Sequence, residues 1–220
     1  MKENFPWLIL ILVWALNFGI SWLNARTVGL MWVETKILGG WQRFMAWMGA
    51  IMSASGFTWC YLIFGTLALY FTQPAWVRLF LDEGETYAPM MDASFLEATL
   101  SLGYLIIIPG ILFSGLMIWI DSLIQAIKRK DLASGAVAGW NTFAQIHNTY
   151  SAMKGIPEAW KAVGKFVGDS KGDGKGKLVI LMIVLVIVCV FAGVMTTWGI
   201  INKYAGTRPL SPEASFVKAH

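Results

Sequence analysis

The sequence predicts an all-α integral membrane protein with four transmembrane helices and amphipathic cytoplasmic helices between the third and fourth. Three observations carry this. Four apolar runs are each long enough to cross a bilayer. Only 14% of the 220 residues are charged, while 57% are hydrophobic and mean hydropathy is +0.61. Soluble domains carry about 25% charged residues. Lastly, the one long polar segment has helical periodicity of its own.

A hydrocarbon core of about 30 Å needs roughly 20 apolar residues in a helix. The first run, 6–25, follows a single lysine and an acid. It is too long for a signal-peptide core and lacks a convincing small-residue cleavage site, so it is expected to stay as a span. The second run, 44–71, exceeds the minimum and is expected to tilt or extend past the interface. The third, 98–120, contains Pro109, which predicts a kink because proline removes a backbone donor. The fourth is 178–201. None of the four contains Asp, Glu, Lys, Arg or His. Helices in lipid approach closely where residues are small. Gly49, Ser53, Gly56, Gly110, Ser114, Gly193 and Thr197 are therefore the expected packing positions.

The runs divide the chain into three parts: 1–127 with three spans, 128–177 as a basic segment, and 178–220 with the last span and a short tail. Lys and Arg orient such a chain. With four spans, twelve of them lie in 26–43 and 121–177, against five elsewhere. Those two segments are expected to be cytoplasmic and both termini outside, in a bacterial inner membrane. Trp22, Trp41, Trp76, Trp119 and Trp198 fall near span ends, where indole rings sit well at the headgroup level. Cys60 and Cys189 lie inside apolar runs and read as small apolar residues.

The outer loop, 72–97, begins with Pro74 at a good first-turn position. A short interfacial helix over 76–81 is expected to follow, then an acidic stretch with Asp82, Glu83 and Glu85. Calcium needs six to eight ordered oxygens, and these acids lack that spacing.

The segment 128–177 holds the candidate functional surface. Span three is expected to run on to Lys128, Arg129 and Lys130, which suit an anionic leaflet. Trp140, Phe143, Ile146, Tyr150 and Met153 recur at intervals of three and four, an amphipathic helix. Gly155 is placed to stop it and Pro157 to start a second helix carrying Trp160. A flexible tether, "GDSKGDGKGK", follows. Its Lys171 and Ile180 occupy positions where a calcium loop needs an acid and a bidentate Glu. His147 has amides and a hydroxyl nearby in sequence, without the nucleophile or orienting carboxylate that catalysis needs. Two histidines in the whole chain also make a poor zinc set. Lys128, Arg129, Lys130, Trp140, Phe143, Ile146, His147, Tyr150 and Trp160 are thus expected to form a docking surface for a partner protein or the membrane.

No cofactor, metal or catalytic residue is expected, since neither metal-binding nor nucleotide-binding motifs occur. The expected role is a non-enzymatic structural or assembly subunit of a multi-subunit membrane complex, of the kind found in secretion, conjugation or envelope machines. Its expected partners are the bilayer, itself or other membrane subunits, and a cytoplasmic protein at 128–177. The alternative is an oligomeric pore or holin-like channel lined by Ser53, Ser55, Thr58, Ser101, Ser114, Thr196 and Thr197. A weaker alternative is an accessory subunit of a transporter. Nucleic acid is disfavoured by the net charge of only +4 and by acids interspersed among the lysines.

Overall fold

The structure, a computed structural model, describes residues 7–77, 91–169 and 176–220. Six helices follow in order: α1 (Trp7–Leu38), α2 (Gly40–Val77), α3 (Ala93–Arg129), α4 (Leu132–Asp169), α5 (Gly176–Tyr204) and α6 (Pro212–Ala219). Four of them, α1, α2, α3 and α5, are long and apolar enough to cross a membrane. The expected interfacial helix over 76–81, the acids at 82–85 and most of the tether lie outside the described residues. Pro74 sits within the last turns of α2 instead of starting a helix.

The helices outrun their apolar stretches. α1 continues thirteen residues past Ala25 to a turn at Gly39, whose φ of +114° suits only glycine without strain. α2 returns antiparallel to α1. Asn24 donates to the Gly49 carbonyl at 3.2 Å, and Trp14 donates to Cys60 at 3.2 Å. α3 is antiparallel to α2. The Gln73 side chain meets the Met91 backbone at one end, and Trp41 donates to Asp121 at 2.8 Å at the other.

α4 departs from the expected pair of short helices. It is one continuous helix of 38 residues that runs through Gly155 and Pro157. Proline removes one backbone donor, but α3 gives α4 a partner along its whole length, and that packing holds the helix together. Near the turn, the Trp119 indole donates to Thr142 at 2.7 Å. Midway, Gly155 lies against the Tyr104 ring. At the far end, Phe95 and Phe166 meet edge-on with ring centres 5.9 Å apart. At about 1.5 Å per residue, α4 covers roughly 57 Å.

α5 then starts where α3 starts. Leu178 and Met182 share a core with Met91, Phe95 and Phe166. From there α5 runs antiparallel to α2, with Gly65 beside Leu185 and Cys189, and Gly193 beside Thr58. It ends against α1, where Gly29 abuts the Ile201 carbonyl. Helices α1, α3 and α5 therefore point one way, and α2 and α4 the other. The bundle has a near end, where α1, α3 and α5 begin, and a far end, which holds the α1–α2 and α3–α4 turns. The short α6 returns to the far end, where the Ser211 amide donates to the Glu34 carboxylate at 2.5 Å.

The stretch 121–177 does not sit at one end of the bundle. Its first residues, 121–131, lie at the far end, and its last described residues, 166–169, lie at the near end. The start of α1 and the end of α5 also lie at opposite ends of the bundle.

Candidate functional site

The nine expected docking residues fall into two groups. Lys128, Arg129 and Lys130 form the α3–α4 turn. Lys130 caps α3 in the left-handed region at φ 53°, with its amide N–H bonded to the Ala126 carbonyl at 3.0 Å. Asp131 then opens α4 by accepting from the Ser134 amide at 2.7 Å. That bond, followed by the Ser134 hydroxyl and the nearby Arg129, holds the Asp131 carboxyl below the usual carboxylate range. The rest of the far end is also basic. Arg26 lies over the Trp22 and Tyr204 rings at 6.0 and 5.5 Å, and Lys36 over Trp32 at 5.3 Å. Arg43 donates to the Lys36 carbonyl at 3.1 Å. Trp32, Trp47 and Trp198 pack together beside them, with ring centres 5.5 to 6.3 Å apart.

Trp140, Phe143, Ile146, His147, Tyr150 and Trp160 form the second group, on the flank of α4. All six are exposed. Trp140, Phe143 and Trp160 have 69%, 64% and 72% of their surface free. His147 stacks on Phe143 at 6.2 Å. The opposite face of α4 is the one that packs. Ala138, Ala152, Ala159 and Phe166 are buried there, at a spacing of seven with Gln145 filling the missing step. Gln145 donates to the Leu112 carbonyl at 3.4 Å, while its Oε1 is buried with no protein partner.

The expected packing residues all lie at contacts inside this one chain. Asn17 donates to the Gly56 carbonyl at 3.1 Å, and Gly56 also receives Ser21. Gly49 meets Val28, and Ser53 bonds back to the Gly49 carbonyl at 2.9 Å. Gly110 faces Ile51 and Ser55, each 3.4 Å from where a Cβ would stand. Ser114 is buried and bonds to the Gly110 carbonyl at 2.6 Å. Thr58 fills the notch at Gly193, and Thr197 is buried one turn further along.

Sequence reasoning missed Asn17 and Asn24, although an amide in an apolar run is a visible signal. It also missed Gln73, whose amide satisfies both the N–H and the carbonyl of Met91, at 2.9 and 3.0 Å. Nothing local distinguishes that glutamine, because its partner lies 18 residues away. Asp121, at the end of the third apolar run, accepts the indole N–H of Trp41.

A groove of about 440 Å³ opens between α3 and α4, lined by residues including Trp59, Glu97, Tyr104, Ser151 and Glu158. Among the described residues, no three His, Cys, Asp or Glu side chains come together in a metal-binding group. The chain matches no family model, no curated protein and no solved structure.

Proposed function

We propose that this chain is a non-enzymatic structural subunit of a multi-subunit assembly in a membrane: a rigid helical frame whose basic far end is the contact surface. One observation carries this reading. Five of the seven polar side chains that would line a pore are buried or hydrogen-bonded within the bundle. Ser53, Thr58, Ser114 and Thr197 are buried, and Thr196 shares a hydrogen bond with Tyr61 at 2.9 Å. A channel needs such groups aligned along a water-filled face. Here they sit at packed seams, which supports a frame over a pore. The same residues are also no longer free to build a ring of copies.

The far end carries Lys128 and Arg129 at the α3–α4 turn, and Lys36 and Arg43 at the α1–α2 turn, the latter pair next to an aromatic layer. That chemistry fits an acidic partner surface or anionic headgroups, each cation contributing about 1 kcal/mol near a charged leaflet. The proposed location is the cytoplasmic membrane of a bacterium, with the far end facing the cytoplasm. Changing Lys128→Glu together with Arg129→Glu tests the contact and leaves Lys130 to hold the left-handed cap. The expected result is loss of co-purifying subunits with an unchanged melting temperature. An unchanged subunit ratio would remove the far end from the assembly surface.

A further inference from the structure

The direction of α5 has a consequence for α4. α3 and α5 both begin at the near end, and each is long and apolar enough to cross a membrane. Two helices that cross in the same direction need a return crossing between them. The chain between them contains α4, which already runs the full length of α3.

The two faces of α4 agree with that path. A helix covering a water-exposed bundle turns its apolar residues inward. α4 does the reverse. Its inward face is made of small residues and amides, with Ala138, Asn141, Gln145, Ala152 and Ala159 buried or half-buried. Its outward face carries Trp140, Phe143, Ile146, Tyr150 and Met153, all exposed. In water such a helix would be inside out. In hydrocarbon it is the ordinary arrangement, because small residues allow close approach and amides find partners between helices. The outward face is also continuous in character with the exposed aliphatic flanks of α1 and α5, such as Leu12, Leu16, Ile187 and Val188.

The charge pattern agrees as well. Residues 132–153 contain no Asp, Glu, Lys or Arg. At 1.5 Å per residue that stretch reaches about 33 Å, the thickness of a hydrocarbon core. Lys128–Lys130 precede it and Lys154 follows it. Lys154 reaches back over the Tyr150 ring at 4.5 Å, as a lysine near a helix end does when its stem lies on apolar surface.

We infer that α4 is a fifth membrane-crossing helix, with its Trp140–Met153 face against lipid acyl chains, and that the start of α1 and the end of α5 lie on opposite sides of the membrane. The inference rests on the reading that α1, α2, α3 and α5 cross. Mean hydropathy passes over α4 because Asn141, Gln145 and Asn148 lower it, yet these three are turned at least partly toward the bundle. His147 is the one side chain of the stretch that can carry a positive charge. The crossing also divides the lysines of 121–177 between the two ends, so the charge bias no longer sets orientation by itself.

Two measurements on the full-length chain in lipid test this. Cys60 and Cys189 are buried, so the wild-type chain serves as the blank. Single cysteines go in as Gln42→Cys, Ala75→Cys, Ala133→Cys, Gly168→Cys and Arg208→Cys, and are labelled with a membrane-impermeant maleimide in intact and in permeabilised bacterial cells. The expected sets are Ala75 with Gly168, and Gln42 with Ala133 and Arg208. Ala133 and Gly168 in one set, with Gln42 and Ala75 still separated, would overturn the fifth crossing alone. Gln42 and Ala75 in one set would overturn the underlying reading and the inference with it. The second measurement places a spin label at Phe143→Cys and, as reference, at Leu16→Cys. Collisions with oxygen should dominate over collisions with a water-soluble nickel chelate at both. Chelate-dominated relaxation at Phe143 alone would sink the inference, and at Leu16 it would sink the four crossings.

Discussion

Gly193 is a point at which a single atom decides the packing. A Cβ there would run into the Thr58 hydroxyl and stand 2.7 Å from the Thr58 amide nitrogen and 2.8 Å from the Ala54 carbonyl oxygen. Two of those neighbours are backbone, which cannot swing away. Gly193→Ala should therefore destabilise the bundle by about 1–3 kcal/mol, the range for overpacking. Gly199, six residues on, has open space around it, and Gly199→Ala should leave the thermal midpoint unchanged or slightly raised. Equal losses in the two variants would show that α2 and α5 do not meet as described. Gln73 works by hydrogen bonding instead of volume. Gln73→Leu strips both partners from the buried Met91 backbone and should cost about 1–3 kcal/mol, the penalty for an unsatisfied buried polar group. Denaturation in detergent of both variants beside the wild type measures this. The packing glycines were legible in sequence as small residues in apolar runs. Their partners were not, because Thr58 and Gly193 are 135 residues apart and only the fold brings them together.

Among the helices, α4 shows where sequence reading failed and why. Its periodic aromatics were visible, and they do share one face. Which way that face turns was not visible. The period of a helix is the same whether its apolar stripe points to a core or to lipid. Gly155 and Pro157 are local stop and start signals, and tertiary packing along α3 overrode them. The start of α4 gives a pH test. The Asp131 carboxyl has its proton affinity lowered in the folded chain by the Ser134 amide. A group with a depressed folded pKa contributes above its unfolded value, near 3.9, and the contribution is lost as pH falls through the folded value. Amide hydrogen exchange at 133–135 should stay constant from pH 7 to about 5, after correction for the intrinsic rate, and accelerate below about pH 4. Asp131→Asn keeps an acceptor without the titration, so its corrected protection should show no such step. A step that persists in that variant would assign the pH response to another group.

For the whole molecule, composition was enough to separate a membrane-type chain from a soluble one. Four of the five long helices were legible from apolar length alone. Their sidedness was not, because a charge count orients spans only after their number is fixed, and a crossing by α4 would alter that number. The same limit applies to the candidate surface. Lys128–Lys130 were legible as a basic cluster, but that Lys36 and Arg43 of the α1–α2 turn lie at the same end of the bundle follows only from the fold. Deleting 134–168 would now remove the partner of α3 along with any docking residue, so charge changes at the far end are the cleaner probe.

The central claim is that this chain is a frame within a larger membrane assembly. Extraction into native lipid discs from its own cell, followed by mass measurement of the intact particle, tests it most directly. The account predicts a particle in which this chain stands at a fixed ratio with other, different subunits. A particle made of many copies of this chain alone, conducting ions in a planar bilayer, would contradict it.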